Sequence, residues 1–237
     1  MKTLLITCTI LTLLACQGSK NEPGSNNTME ENETLTYLAL GDSYTIGEGV
    51  PEEDRYPNQL VSLLNSSTEY TWAAPKIIAK TGWTVDELDE GISKSTLEGQ
   101  PYDLVTLLIG VNDQYRGGSV DQYEIDFEKM LLQAIGFAGN LPDHVVVVSI
   151  PDWGVTPFAP ANGKDSEKVA QEITAFNSVK KEICDRFGVV FIDITTEYRM
   201  IGGQDEMVVD DQLHPSGLVY KKWAEALIEI VSKKEFK

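Results

Sequence analysis

The sequence predicts an α/β domain in which a parallel sheet is covered by helices on both faces. Three observations predict it. Five short apolar runs recur along the chain, and each is followed by a stretch with apolar residues at helical spacing. The clearest run, Val145–Ile150, is almost wholly β-branched, as a strand buried on both faces should be. The chain has 237 residues, 42% of them hydrophobic, which is enough for one such domain with a full core and short for two.

The first strand is expected over Leu35–Leu40, closed by Gly41. Tyr56, Leu60, Leu63 and Leu64 then fall on one helical face, and Lys76–Ala79 reads as a second, weaker strand. Thr84-x-x-Glu87 has the form of a capping box, with Trp83 and Leu88 spaced as a hydrophobic staple and Val85, Leu88 and Ile92 lining one face. Leu104–Ile109 is the third strand, followed by a helix striped by Phe127, Met130, Leu131, Ala134 and Ala138. After the fourth strand, Val169, Ile173, Phe176, Ile183 and Phe187 stripe another helix. Val189–Ile194 is the fifth strand, and Tyr220, Trp223, Leu227, Ile230 and Val231 mark the last helix. Right-handed crossovers in such a sheet put the ligand site at the carboxyl ends of the strands. Catalytic residues are therefore expected just after strands.

The N-terminus carries a different message. Met1-Lys2 leads into an apolar run from Leu4 to Leu14, too short to span a membrane, and residues 1–15 read as a secretory signal. Leu13-Leu14-Ala15-Cys16 resembles a bacterial lipobox, which implies cleavage before Cys16 and acylation of that residue. The expected result is an exported protein, lipid-anchored on the periplasmic or cell-surface face of a bacterial membrane. Several acyl chains would make the anchor stable. Residues 16–34 are polar and aperiodic and read as a flexible tether, leaving 35–237 as the folded domain. Of the three cysteines, only Cys184 lies in that domain, so no disulfide framework is available there; its place beside a helix stripe predicts a buried, inert thiol.

The formal net charge is -18, spread along the body. Such a surface repels polyanions, so nucleic acid is excluded as a partner, whereas a covalent lipid anchor needs no basic patch. No metal or nucleotide cofactor is expected. The only histidines, His144 and His214, are far apart, the acidic pairs lack a calcium-loop pattern, and Gly47-Glu48-Gly49 is only a fragment of a dinucleotide fingerprint.

Four segments carry the chemistry. Gly41-Asp42-Ser43-Tyr44 follows the first strand, where a serine hydroxyl can face the pocket. Gly82 lies between the second strand and the capped helix, where no Cβ blocks approach to its N–H. Gly110-Val111-Asn112-Asp113 ends the third strand, and the uncharged Asn112 amide suits an anion that exists only transiently. Asp211-x-x-His214 precedes the last helix. Histidine is the base best suited to a serine near neutral pH, and an Asp three residues earlier can curl back to orient it. His144 lies before the fourth strand, at the opposite end of the sheet, and reads as structural. Tyr44, beside Ser43, and Trp153, after the fourth strand, are candidate pocket-lining residues.

In this order the four segments resemble the SGNH hydrolase superfamily, the GDSL-type esterases and lipases. The resemblance runs from about Leu35 to the C-terminus. It implies a three-layer, flavodoxin-like α/β/α fold with five parallel strands in the order 2-1-3-4-5. It also implies Ser43 as nucleophile, His214 as base, Asp211 as its orienter, and an oxyanion hole from Ser43, Gly82 and Asn112. The expected activity is hydrolysis of acyl esters through an acyl-enzyme. A carbohydrate O-deacetylase, a lysophospholipase or thioesterase of the same fold, or a surface lipoprotein that binds a ligand without turnover, stand as alternatives.

Overall fold

A computed structural model describes residues 34–236. The expected signal (1–15), Cys16 and all but the last residue of the tether (16–34) lie outside the described residues. Five strands, β1 (Tyr37–Gly41), β2 (Lys76–Ala79), β3 (Leu104–Leu108), β4 (Val145–Val148) and β5 (Val190–Ile192), form one sheet. All neighbours pair in parallel, in the order β2-β1-β3-β4-β5.

Each strand falls within the apolar run that predicted it or close to it, and the ends show what stops pairing. The fourth run continues to Ile150, but the backbone N–H and C=O of Ile150 are taken by the Asn177 side chain, at 2.7 and 2.9 Å. Beyond Ile192 the chain turns on Asp193, whose carboxylate accepts from the N–H groups of Thr195 and Thr196. Leu35 makes only an isolated bridge, to Trp72.

The long helices are α2 (Tyr56–Ser67), α3 (Val85–Ser93), α5 (Val120–Phe137), α7 (Ser166–Phe187) and α9 (Gly217–Val231). Helices α2 and α9 pack together on one face of the sheet; α3, α5 and α7 pack on the other. Tyr37 and Thr106 point to the α2 side, where the Thr106 hydroxyl meets the phenols of Tyr37 (2.7 Å) and Tyr56 (3.2 Å). The Thr84–Glu87 capping box forms in full at the start of α3, and the Trp83 ring lies over Gly91 of the same helix. Four short helices escaped the periodicity reading because none is long enough to show a stripe: α1 (Ser43–Ile46), α4 (Val111–Tyr115), α6 (Phe158–Ala161) and α8 (Thr195–Ile201).

The core contains one surprise. Lys180 sits in the stripe of α7 with no exposure, its ammonium donating to the carbonyls of Val148 (2.8 Å) and Ile109 (3.1 Å) and lying over the Phe127 ring. Burial pulls this lysine down to about 7. One turn later Cys184 is fully buried, and burial pushes its thiol up to about 12, which makes it inert. His144 lies in a 3-10 turn before β4 and packs edge-on against Phe236, at the amino end of the sheet.

Candidate active site

The strand β1 delivers Ser43 to the carboxyl end of the sheet. Gly41 closes the strand where no side chain fits: a Cβ there would lie 2.1 Å from the Thr45 hydroxyl and 2.3 Å from the Leu108 carbonyl. Asp42 then caps α1, its Oδ1 accepting from the Tyr44 N–H at 3.0 Å, and Ser43 becomes the first residue of that helix. Asp42 is sealed under the turn, and burial raises its carboxyl to about 7.

Gly82 follows β2 in the left-handed region, with φ 86°. No residue with a Cβ adopts that conformation without strain, and a Cβ there would meet nothing closer than Arg116 Nη2 at 3.8 Å. Asn112 sits in α4, just past β3. One proton of its amide is held by the Trp83 carbonyl at 2.9 Å, so the second is left for a ligand. Asp113, the next residue, accepts from the Val85 N–H at 3.3 Å; burial raises this carboxyl to about 6. The N–H groups of Ser43 and Gly82 have no partner among the described residues.

The third component is a tight loop before α9. Val208 bridges Pro215, and the Val209 N–H donates to the His214 carbonyl. Gln212 takes φ 62° at the loop tip, an unusual conformation for a residue with a side chain. This lets the Asp211 carboxylate fold back on its own loop. Its Oδ1 accepts from the N–H groups of Leu213 (2.8 Å) and His214 (2.9 Å), and its Oδ2 meets His214 Nδ1 at 2.5 Å. Partial burial raises the Asp211 carboxyl, but the His214 ring and the two backbone N–H groups outweigh it and hold the group below its ordinary value. Nδ1 is thereby committed to the carboxylate, which leaves Nε2 for proton transfer. The segment precedes the last helix, as expected; α8 and a 3-10 turn separate it from β5, and the loop lines the same cavity as the residues that follow β1, β2 and β3.

Ser43, Gly82, Asn112 and His214 line one cavity of about 200 Å³, with Asp211 behind the histidine. The walls are mostly apolar: Tyr44, Val111, Tyr115, Trp153 and Leu213. Ser43 Oγ is not hydrogen-bonded to the imidazole here; catalytic bonds of this kind tighten in the Michaelis complex. Tyr44 is buried beside the imidazole, ring centroids 5.7 Å apart, and rests on Trp223. Trp153 both lines the cavity and is buried, its indole N–H donating to Gln114 Oε1 at 2.8 Å. Tyr115, packed edge-on against Trp153 and half exposed, escaped sequence reasoning. The signal available was its position three residues after Asn112, which shares a face with it once α4 is known to be helical. Among the described residues no group of His, Cys, Asp and Glu could hold a metal ion.

A serine hydroxyl, an imidazole held by a carboxylate, and N–H groups without protein partners around one apolar cavity make an arrangement suited to addition to a carbonyl carbon. Comparison with known proteins agrees. The profile of the GDSL-like lipase/acylhydrolase family matches residues 39–222. A comparison with curated protein sequences finds no match. Solved structures share the fold. A lipase/acylhydrolase from Enterococcus faecalis is 17% identical, with a TM-score of 0.66 over 84% of this chain and 96% of the other. An acetyl xylan esterase from Geobacillus stearothermophilus is 17% identical, with a TM-score of 0.65 over 86% and 99%. The psychrotrophic esterase EstA from a Pseudoalteromonas species is 16% identical, with a TM-score of 0.62 over 84% and 97%. The family match spans most of the chain and takes in all four motif segments: this protein belongs to the GDSL-like lipase/acylhydrolase family and is an ester-bond hydrolase.

Proposed function

We propose that Ser43 is the nucleophile of this hydrolase, with His214 as general base, Asp211 as its orienter, and Ser43 N–H, Gly82 N–H and the Asn112 amide as the oxyanion hole. The observation that carries this reading is the shared cavity, with Asp211 fixed on the far side of the His214 ring. Ser43 Oγ attacks the acyl carbonyl while His214 Nε2 takes the hydroxyl proton. The three donors hold the tetrahedral oxyanion. Its collapse breaks the ester C–O bond, and the imidazolium gives its proton to the departing alcohol. Water then attacks the acyl-enzyme with the same base and the same donors, releasing the acid and restoring Ser43. The test is labelling by a fluorophosphonate. Wild type should be labelled and Ser43→Ala should not; labelling of both would remove Ser43 as the nucleophile.

The cavity favours a short acyl group. About 200 Å³ lies below the usual range for sites of drug-sized ligands, and Tyr44, Tyr115 and Trp153 crowd it. This supports O-deacetylation of a carbohydrate over hydrolysis of long-chain lipid esters or thioesters, and the neighbour from Geobacillus stearothermophilus is an acetyl xylan esterase. A panel of acetylated sugars, lysophospholipids and acyl thioesters decides between them; faster turnover of a long-chain lysophospholipid would reverse the choice. We also propose export and lipid anchoring through Cys16, on the support of Leu13-Leu14-Ala15-Cys16 after a short apolar run. Cys16→Ala should abolish incorporation of a labelled fatty acid and release the protein from membranes. Incorporation that survives the substitution would refute the anchor.

A further inference from the structure

The weak point of the site is Gly82. Its missing Cβ lets the substrate approach, and the same absence leaves the backbone that carries the N–H with more freedom than any other residue type. The segment is nevertheless pinned by side chains from two other loops. Thr81 Oγ1 donates to the Glu48 carboxylate. From α4, the Asn112 amide donates to the Trp83 carbonyl and the Asp113 carboxylate accepts from the Val85 N–H. The contact closest to the donor comes from Arg116, whose Nη2 reaches the Gly82 carbonyl at 2.6 Å. The same guanidinium pairs with Glu87 at 3.1 Å. Glu87 is itself fixed by the capping box, where the Thr84 N–H, followed by Arg116, holds its carboxyl below the ordinary value.

We propose that Arg116 is a positioning residue for the oxyanion hole: its bond to the Gly82 carbonyl fixes the left-handed turn that aims the Gly82 N–H into the cavity. Arg116 follows Asn112 by one helical turn in the same segment, with its cap N–H bonded to the Asn112 carbonyl. One short element therefore supplies one donor directly and sets the second through a side chain, which keeps the two donors in register. The guanidinium suits the task because Nη2 carries two protons, and this one nitrogen reaches both the Gly82 carbonyl and the Glu87 carboxylate. Arg116 is no part of the core, since half of its side chain is exposed. The effect belongs to the transition state. Gly82 faces the oxyanion, which exists only after attack, so substrate binding is insensitive to it while turnover is not.

The inference rests on the assignment of Gly82 as an oxyanion donor, and the test separates the two. Arg116→Ala, Arg116→Lys and Ser43→Ala are compared with wild type for p-nitrophenyl acetate kinetics, inhibition by a trifluoromethyl ketone that forms a tetrahedral adduct, and melting temperature. Arg116→Ala should lower kcat about 10- to 100-fold with KM changed less than about twofold, as expected for a misplaced group. It should weaken the ketone by a similar factor and leave the melting temperature nearly unchanged. Arg116→Lys should recover part of the loss, since one donor to the carbonyl remains. Unchanged kcat in Arg116→Ala, with Ser43→Ala inactive, overturns the role of Arg116 and leaves the active site standing. A fall in kcat that tracks a lowered melting temperature, with undiminished affinity for the ketone, also overturns it. Full activity of Ser43→Ala instead overturns the site assignment itself.

Discussion

Replacing Lys180 with Met tests how the protein carries a cation in its core. The wild-type ammonium titrates at about 7 in the folded protein against 10.5 when solvated. Between those values the unfolded chain holds a proton that the folded chain has released, so stability rises with pH. Each pH unit in the window is worth about 1.4 kcal/mol. Because the folded lysine is half protonated at pH 7, the climb from pH 7 to 9 amounts to about 2 kcal/mol. Asp42, raised to about 7, and Asp113, raised to about 6, act with the opposite sign. Asp113 has lost most of its stabilising proton by pH 7, and Asp42, half protonated there, offsets only about 0.4 kcal/mol of the climb above it. The buried tyrosines Tyr37 and Tyr220, held well above 10, act only at higher pH. Met fills the same volume but offers no donor. The Ile109 carbonyl keeps the Tyr123 hydroxyl at 3.1 Å, whereas the Val148 carbonyl loses its side-chain donor, a penalty of about 1–3 kcal/mol at every pH. Urea unfolding followed by tryptophan fluorescence at pH 7, 8 and 9 reads both effects. The two proteins should be nearer in stability at pH 7 and diverge by about 2 kcal/mol by pH 9, with wild type gaining. Parallel profiles would refute the assignment of the climb to Lys180.

Other perturbations address the site directly. Asn112→Ala should lower kcat by roughly 10²–10³ with the fold retained, measured by ester turnover and circular dichroism; wild-type kcat would remove Asn112 from the oxyanion hole. Gly82→Ala finds space, the nearest atom to its Cβ being Arg116 Nη2 at 3.8 Å, but not a permitted conformation at φ 86°. It should lose about 1–2 kcal/mol in urea unfolding and a larger share of kcat. Trp153→Phe releases Gln114 and enlarges the cavity, so the ratio of butyrate to acetate ester turnover should rise; an unchanged ratio would show that Trp153 does not limit the acyl group.

The parts of the molecule that could be read in the sequence are those where one physical demand dominates a local window. Val145–Val148 had to be a central strand because both faces are covered, and the Thr84–Glu87 box announced α3. The motif segments were legible because a site at the carboxyl end of a parallel sheet draws on segments far apart in sequence, and a serine, a glycine and an asparagine just past three strands rarely coincide with an Asp-x-x-His loop before the last helix. Residues whose role depends on long-range partners were not legible. Lys180 falls on the buried stripe of a helix where lysine ordinarily means solvent, and nothing near it announces the carbonyls of Ile109 and Val148. Arg116 has the same character, since its carbonyl partner lies 34 residues away. Trp153, expected as a pocket-lining residue, is also structural, because a buried indole with a bonded N–H can still form a wall.

The position of the histidine loop has a consequence for how the protein comes into being. Ser43 is among the first folded residues to be synthesised and His214 among the last, and the loop is held in place by α9, which docks against α2 near the start of the domain. A growing chain presents all five strands before His214 has been made. If Ser43 and His214 act as proposed, activity requires the two ends of the domain to meet. In a refolding or translation experiment, ester turnover would time that final docking, while circular dichroism would already report earlier helices. The same closure makes the last helix indispensable twice over: its buried Tyr220, Trp223 and Leu227 belong to the core, so a truncation there would cost packing as well as the support of the histidine loop.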